Sequence, residues 1–106
     1  MSAASHTAVV GSLAYRERLA ALPVSFNAML VPEPGNRYFL NAIAVHGPSG
    51  KIGYVAPEAA RSRYEAIKSA AAAGSVSCSA RRAGADATAQ GAIEVFVDLS
   101  AFPLAE

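Results

Sequence analysis

The sequence predicts a small α+β domain, mostly strand, in which a curled antiparallel sheet closes as a barrel accompanied by two helices. Three observations predict it. Segments 24–31, 41–46 and 93–99 alternate in polarity or size with period two, the mark of strands with one face buried. Glycine, proline and asparagine punctuate these runs at short intervals. Apolar residues make up 53% of 106 residues, enough for one core and too short a chain for two domains. A sheet of this size avoids bare edges best by curling shut.

The elements follow in order. Residues 7–11, Thr-Ala-Val-Val-Gly, read as a short strand ending in a turn glycine. Ser12 can cap a helix over 12–22, where Tyr15, Leu19 and Leu22 fall at helical spacing and Pro23 stops the coil. Val24, Phe26, Ala28 and Leu30 form one face of the next strand. Pro32-Glu33-Pro34-Gly35-Asn36 reads as a loop by composition. Strand 41–46 and return strand 51–55 flank a Gly47-Pro48-Ser49-Gly50 hairpin turn. Pro57 opens a second helix over 57–73, with Ala60, Tyr64, Ile67 and Ala71 on its apolar face and Glu58, Arg61, Glu65 and Lys68 spaced to pair on the other. Gly74 ends it. Val76, Cys78 and Ala80 alternate with serines, 83–91 is small and polar enough for a mobile loop, and Ile93, Val95, Val97 and Leu99 form the last strand. The domain spans 7–100, with 1–6 and 101–106 as flexible ends.

Composition limits the function. The net charge is +1, without the overall basic footprint common in nucleic-acid binders. Cations are seven Arg against two Lys, which together with abundant Ala points to a GC-rich genome. Cys78 is the one cysteine, a buried structural thiol on this reading, and one thiol with the distant His6 and His46 makes no zinc site. There is no Gly-rich phosphate loop, no metal-ligand spacing, no paired carboxylates and no nucleophile–base motif, so neither an enzyme nor a cofactor is expected. No apolar run is long enough to span a bilayer, and the first residues lack the charged and apolar regions of a secretory leader. The expected location is the cytoplasm.

Three segments resemble the HIRAN domain family. Val9-Val10-Gly11 precedes an aromatic-containing helix, as the family opens. The stretch from Val31 to Val45, with Glu33, the Pro34-Gly35 turn and Asn36-Arg37-Tyr38-Phe39-Leu40-Asn41-Ala42, resembles the family's acidic residue, turn, N-P-Y-D-x-N-A motif and apolar strand. Lys51-Ile52-Gly53-Tyr54-Val55 with Pro57-Glu58 resembles its V-G-[HY]-[LI] strand leading into a helix. The match runs from about residue 8 to 99. It implies an SH3- or OB-like barrel that clamps single-stranded DNA with a free 3′ hydroxyl, and a free-standing, bacterial-type member. The chain departs from the pattern where the family reads its ligand. Arg37 stands for the proline of N-P-Y-D and Phe39 for its aspartate. Leu13 and Ala14 replace an Arg and a Tyr, and Pro57 a Lys.

The candidate binding residues are therefore Tyr15, Asn36, Arg37, Tyr38, Phe39, Asn41 and Tyr54. Tyr38 and Phe39 offer stacking surfaces, with one of the pair expected to face the core by strand alternation. Asn36 and Asn41 fit turn-stabilising roles as well as ligand contact. Arg37, Lys51, Arg61, Arg63, Arg81 and Arg82 can meet phosphates, or lie solvated beside Glu33, Glu58 and Glu65. Two functions fit: a module for single-stranded DNA or DNA ends with weakened 3′-hydroxyl selectivity, or a protein-interaction module whose groove Leu13, Phe39 and Leu40 have made apolar.

Overall fold

The computed structural model describes residues 6–10, 15–37, 40–74, 76–83 and 94–102. Among them the chain forms β1 (His6–Val10), α1 (Arg16–Ala20), β2 (Ser25–Glu33), β3 (Ala42–Gly47), β4 (Gly50–Val55), α2 (Pro57–Ala73), β5 (Ser77–Ala83) and β6 (Glu94–Asp98). The six strands close into an antiparallel barrel in the order β1-β4-β3-β2-β5-β6. This is the α+β barrel with two helices that the alternation predicts.

Period two explains the core. Ala28 and Leu30 of β2 are buried while Asn27, Met29 and Val31 are exposed, and Val95, Val97 and Leu99 do the same at the far end of the chain. The first four residues of β3, Ala42, Ile43, Ala44 and Val45, are apolar and all buried. Helix α2 packs on β2 and β3 and brings Ala60, Tyr64 and Ile67 to the same cluster as Ile43, Ile52 and Val97. Pro57 is its first helical residue, where a missing N–H costs nothing, and Gly74 follows it with φ 154°.

Several expectations need correction. Pro32 and Glu33, read as loop, extend β2 opposite Ile43 and Ala42. By Pro32 the β2 ladder with β5, which runs from Ser25 to Met29, has ended, so the proline meets the edge-like setting that strands tolerate. The first helix is shorter than 12–22: α1 runs from Arg16 to Ala20, and hydrogen bonds from Ala21 to Arg18 and from Leu22 to Leu19 carry the turn on to Pro23. Ser12, Leu13 and Ala14 lie outside the described residues, as do 84–91 of the proposed loop and Ile93. The i+3 and i+4 charge pairs expected on α2 do not form ion pairs among the described residues; Lys68 instead lies 6.0 Å over the Tyr64 ring. Arg81 and Arg82 belong to β5, which continues to Ala83. Cys78 is half-buried, and burial pushes its thiol up to about 11. His6 pairs with Asp98 and Phe102 is buried, so the barrel takes in residues from both segments read as flexible ends.

Candidate functional site

Four polar side chains from β2, the turn after it and β4 meet at one end of the barrel. The Glu33 carboxylate is the centre. Lys51 donates to its Oε2 at 2.8 Å, and Asn36 Nδ2 and Tyr54 Oη donate to its Oε1 at 3.0 Å each. Lys51 Nζ also donates to Tyr54 Oη at 3.0 Å, and Asn36 Nδ2 lies 3.5 Å from the same oxygen. Glu33 and Lys51 each keep about a quarter of their side-chain surface exposed (26% and 25%), a sheltered pair rather than a solvated one.

The electrostatics follow from these contacts. Burial alone raises the Glu33 pKa, but the hydrogen bonds from Lys51, Asn36 and Tyr54, with the Lys51 charge, outweigh it and hold the carboxyl below its ordinary value. The bond to Glu33, then the bond to Tyr54, hold the Lys51 ammonium well above its own. Both groups are charged at neutral pH.

Local backbone geometry makes this meeting possible. Lys51 and Tyr54 are three residues apart on one strand, so simple alternation would put them on opposite faces. The register between β3 and β4 shifts at Val45/His46: Val45 faces Gly53, and His46 faces Lys51. The extra residue on β4 reverses the parity, as a β-bulge does, and Gly53 supplies the positive φ of 151° there. Lys51 thereby comes round to the face of Tyr54, and its ammonium sits 4.9 Å from that ring's centroid.

A second aromatic–cation pair adjoins the first. Arg18 of α1 lies 5.5 Å over the Tyr15 ring and donates through Nη1 to the Lys51 carbonyl at 2.7 Å. A Cβ at Gly50 would stand 3.2 Å from this guanidinium, so the glycine makes its room, and its φ of 128° is one only glycine adopts easily. Past Asn36 the chain exposes Arg37 and then Leu40, which is 88% exposed. Asn41 closes the loop with φ 60°, a left-handed turn asparagine tolerates better than most residues.

The structure thus brings Tyr15, Asn36 and Tyr54 into one region with Arg37 and Asn41 at its border. Tyr38 and Phe39 lie outside the described residues. Arg63 is placed elsewhere, its Nε donating to the Phe102 carbonyl at 3.0 Å. Arg61 is exposed on α2, and Arg81 and Arg82 lie on β5. Arg82 Nε is covered, with no hydrogen-bond partner among the described residues. Sequence reasoning missed Arg18 and the central place of Glu33. The Glu33–Asn36 spacing of three was a visible turn signal; the bulge that recruits Lys51 was not. Among the described residues no three His, Cys, Asp or Glu side chains gather as metal ligands, and no helix is long and apolar enough to cross a membrane. Comparison with family models, curated proteins and solved structures finds no match.

Proposed function

We propose that this chain is a nucleic-acid-binding module, HIRAN-like in kind, that holds single-stranded DNA or a DNA end across the Tyr15–Tyr54 face. One observation carries the reading: two tyrosine rings, each with a cation over it, are tied together by the Arg18–Lys51 hydrogen bond at the mouth of the Arg37 loop. Ring faces stack on bases at about 1–3 kcal/mol each without regard to sequence, and Arg18 and Arg37 supply charge for phosphates. Lys51 contributes less, because Glu33 neutralises it. Binding is accordingly weak, with a shallow salt dependence of about −0.7 per phosphate contact on single strands.

Selectivity for a free 3′ hydroxyl is lost on this reading. Phe39 offers no acceptor where the family has a carboxylate, and the Glu33 carboxylate is already held by three donors. Losing such an acceptor forfeits about 0.5–1.5 kcal/mol, up to roughly 3 for a charged one. The test is fluorescence anisotropy with labelled oligonucleotides ending in a 3′ hydroxyl or a 3′ phosphate. The wild type should bind both alike, Phe39→Asp should favour the hydroxyl, and Tyr15→Ala, Arg37→Ala and Tyr38→Ala should each weaken binding. A wild-type preference for the hydroxyl refutes the selectivity claim. Unchanged affinity in all three alanine variants refutes the face.

A second reading, a protein-interaction module, is favoured by Leu40, a large apolar side chain 88% exposed in the same loop. Failure of every oligonucleotide to bind would select it.

A further inference from the structure

The outer surface of β2, β5 and β6 carries a second concentration of chemistry. Ser25 faces Arg81 across the β2–β5 ladder, and Arg81 faces Phe96 across β5–β6. One pleat along, Asn27 faces Ser79, and continuing the β5–β6 register sets Asp98 level with Ser79. These six residues make two parallel rows on one face, Ser25–Arg81–Phe96 and Asn27–Ser79–Asp98. The short serines leave a depression between the larger side chains, and these residues line a groove of about 490 Å³. That volume lies in the range of small-molecule sites. The groove is remote from Glu33: the length of β2 separates them, roughly 26 Å at about 3.3 Å per residue.

The charges in the groove are separated and ordered. Arg81 is exposed and forms no salt bridge with the described residues. Asp98 sits diagonally from it, at about 7–8 Å for such cross-strand neighbours. Its Oδ1 accepts the Ser100 N–H at 2.9 Å, which orients the carboxylate. Phe96 lies between them on β6, half-buried. A ligand that fits has a flat ring for Phe96, an anion at one end for the Arg81 fork, and donors at the other for Asp98, with Asn27 able to donate and accept beside it.

We propose that this groove is a nucleotide site: a base stacks on Phe96, its phosphate meets Arg81, and an amino or sugar hydroxyl donor meets Asp98. The nucleotide is free or one unit of a strand, and the same groove chemistry serves both. The inference does not depend on the Tyr15–Tyr54 face.

Isothermal titration calorimetry with adenosine monophosphate tests it, with adenosine and inorganic phosphate as separate arms. The monophosphate should bind more tightly than either part. Arg81→Ala should weaken the monophosphate about tenfold and leave adenosine unchanged, as loss of a charge-assisted bond requires. Phe96→Leu, which keeps an apolar residue of similar bulk, should weaken both by about tenfold. No binding of the monophosphate, affinity no better than phosphate alone, or an unchanged Arg81→Ala overturns the site. A single-stranded oligonucleotide that displaces the monophosphate assigns the groove to a strand; one that binds without displacing it assigns the groove to a free nucleotide, and either keeps the site. Sensitivity of the monophosphate to Arg81→Ala and Phe96→Leu assigns it to this groove, so failure here and failure of the Tyr15–Tyr54 face are read separately.

Discussion

The two ends of β2 treat polar side chains in opposite ways. At the Glu33 end, four polar groups turn inward on one another, and one carboxylate accepts from three donors. At the Ser25 end, short polar side chains and Arg81 line an open groove. The first arrangement buys rigidity: the Asn36 turn and Lys51 are held in place, and what is left for a ligand is ring surface and the flanking arginines. The second presents short polar side chains to the groove and leaves Arg81 without an ion pair among the described residues. Polar density alone therefore does not mark a contact surface; what matters is whether the groups are satisfied by each other.

Leu30 lies between the ends and is 2% exposed, so it offers the severest test. Leu30→Ala should cost about 2–5 kcal/mol in urea unfolding and lose both ends together. Survival of one end's binding without the other would show that β2 does not couple them.

Glu33→Gln comes next. It removes the anion from a sheltered pair and should cost about 1–2 kcal/mol. It also frees Lys51, so strand affinity should rise and the salt slope steepen by about 0.7. The pH dependence carries a definite sign. The folded carboxyl has a lowered pKa, so its contribution to stability is full above the unfolded value and is lost as pH falls through the folded one. Thermal melts from neutral to acid pH should show this loss in the wild type and not in Glu33→Gln. An identical acid limb in both would mean that another carboxyl governs it.

Tyr54→Phe keeps the ring and deletes the hydroxyl that bridges Lys51 and Glu33. Stability should fall by about 0.5–1.5 kcal/mol while oligonucleotide affinity stays unchanged. An equal loss of affinity would mean the hydroxyl, not the ring face, meets the ligand. Arg81→Ala, at the open end, should change stability by less than about 0.5 kcal/mol. A larger loss in thermal denaturation would show that Arg81 holds structure and would erase the contrast between the ends.

The barrel was legible because its signals are local and redundant. The 57–73 helix matches its expected bounds, since Pro57 and Gly74 mark its ends and the apolar spacing marks its face. Alternation revealed β2 and β6 because each buries a single side. Pro32 misled, because its fitness for a strand depends on where the neighbouring ladder stops. The grouping of polar residues at the candidate site was legible in part. Asn36, Arg37 and Tyr54 stood out by type and motif, but the grouping of Lys51 with Tyr54 rests on a one-residue register shift that strict alternation denies. Ser25, Ser79 and Phe96 carried no sequence signal, because their shared face exists only once β2, β5 and β6 are aligned.

Closure of the barrel also has a kinetic consequence. The β3–β4 hairpin joins residues a turn apart, Gly47 with Gly50, whereas the β1–β6 seam joins His6 with Asp98 from nearly opposite ends of the chain. The entropy of bringing such distant segments together is repaid only after the intervening strands are in place. The hairpin is therefore expected to belong to the folding nucleus and the seam to form after the rate-limiting barrier. Val97→Ala, at the seam, should then speed unfolding and leave the refolding rate nearly unchanged in a chevron measurement, while Ile52→Val in the hairpin slows refolding. Slowed refolding in Val97→Ala would place the seam in the nucleus instead. On this topology the lifetime of the closed ring is set at one seam, and the speed of its assembly at the other side of the barrel.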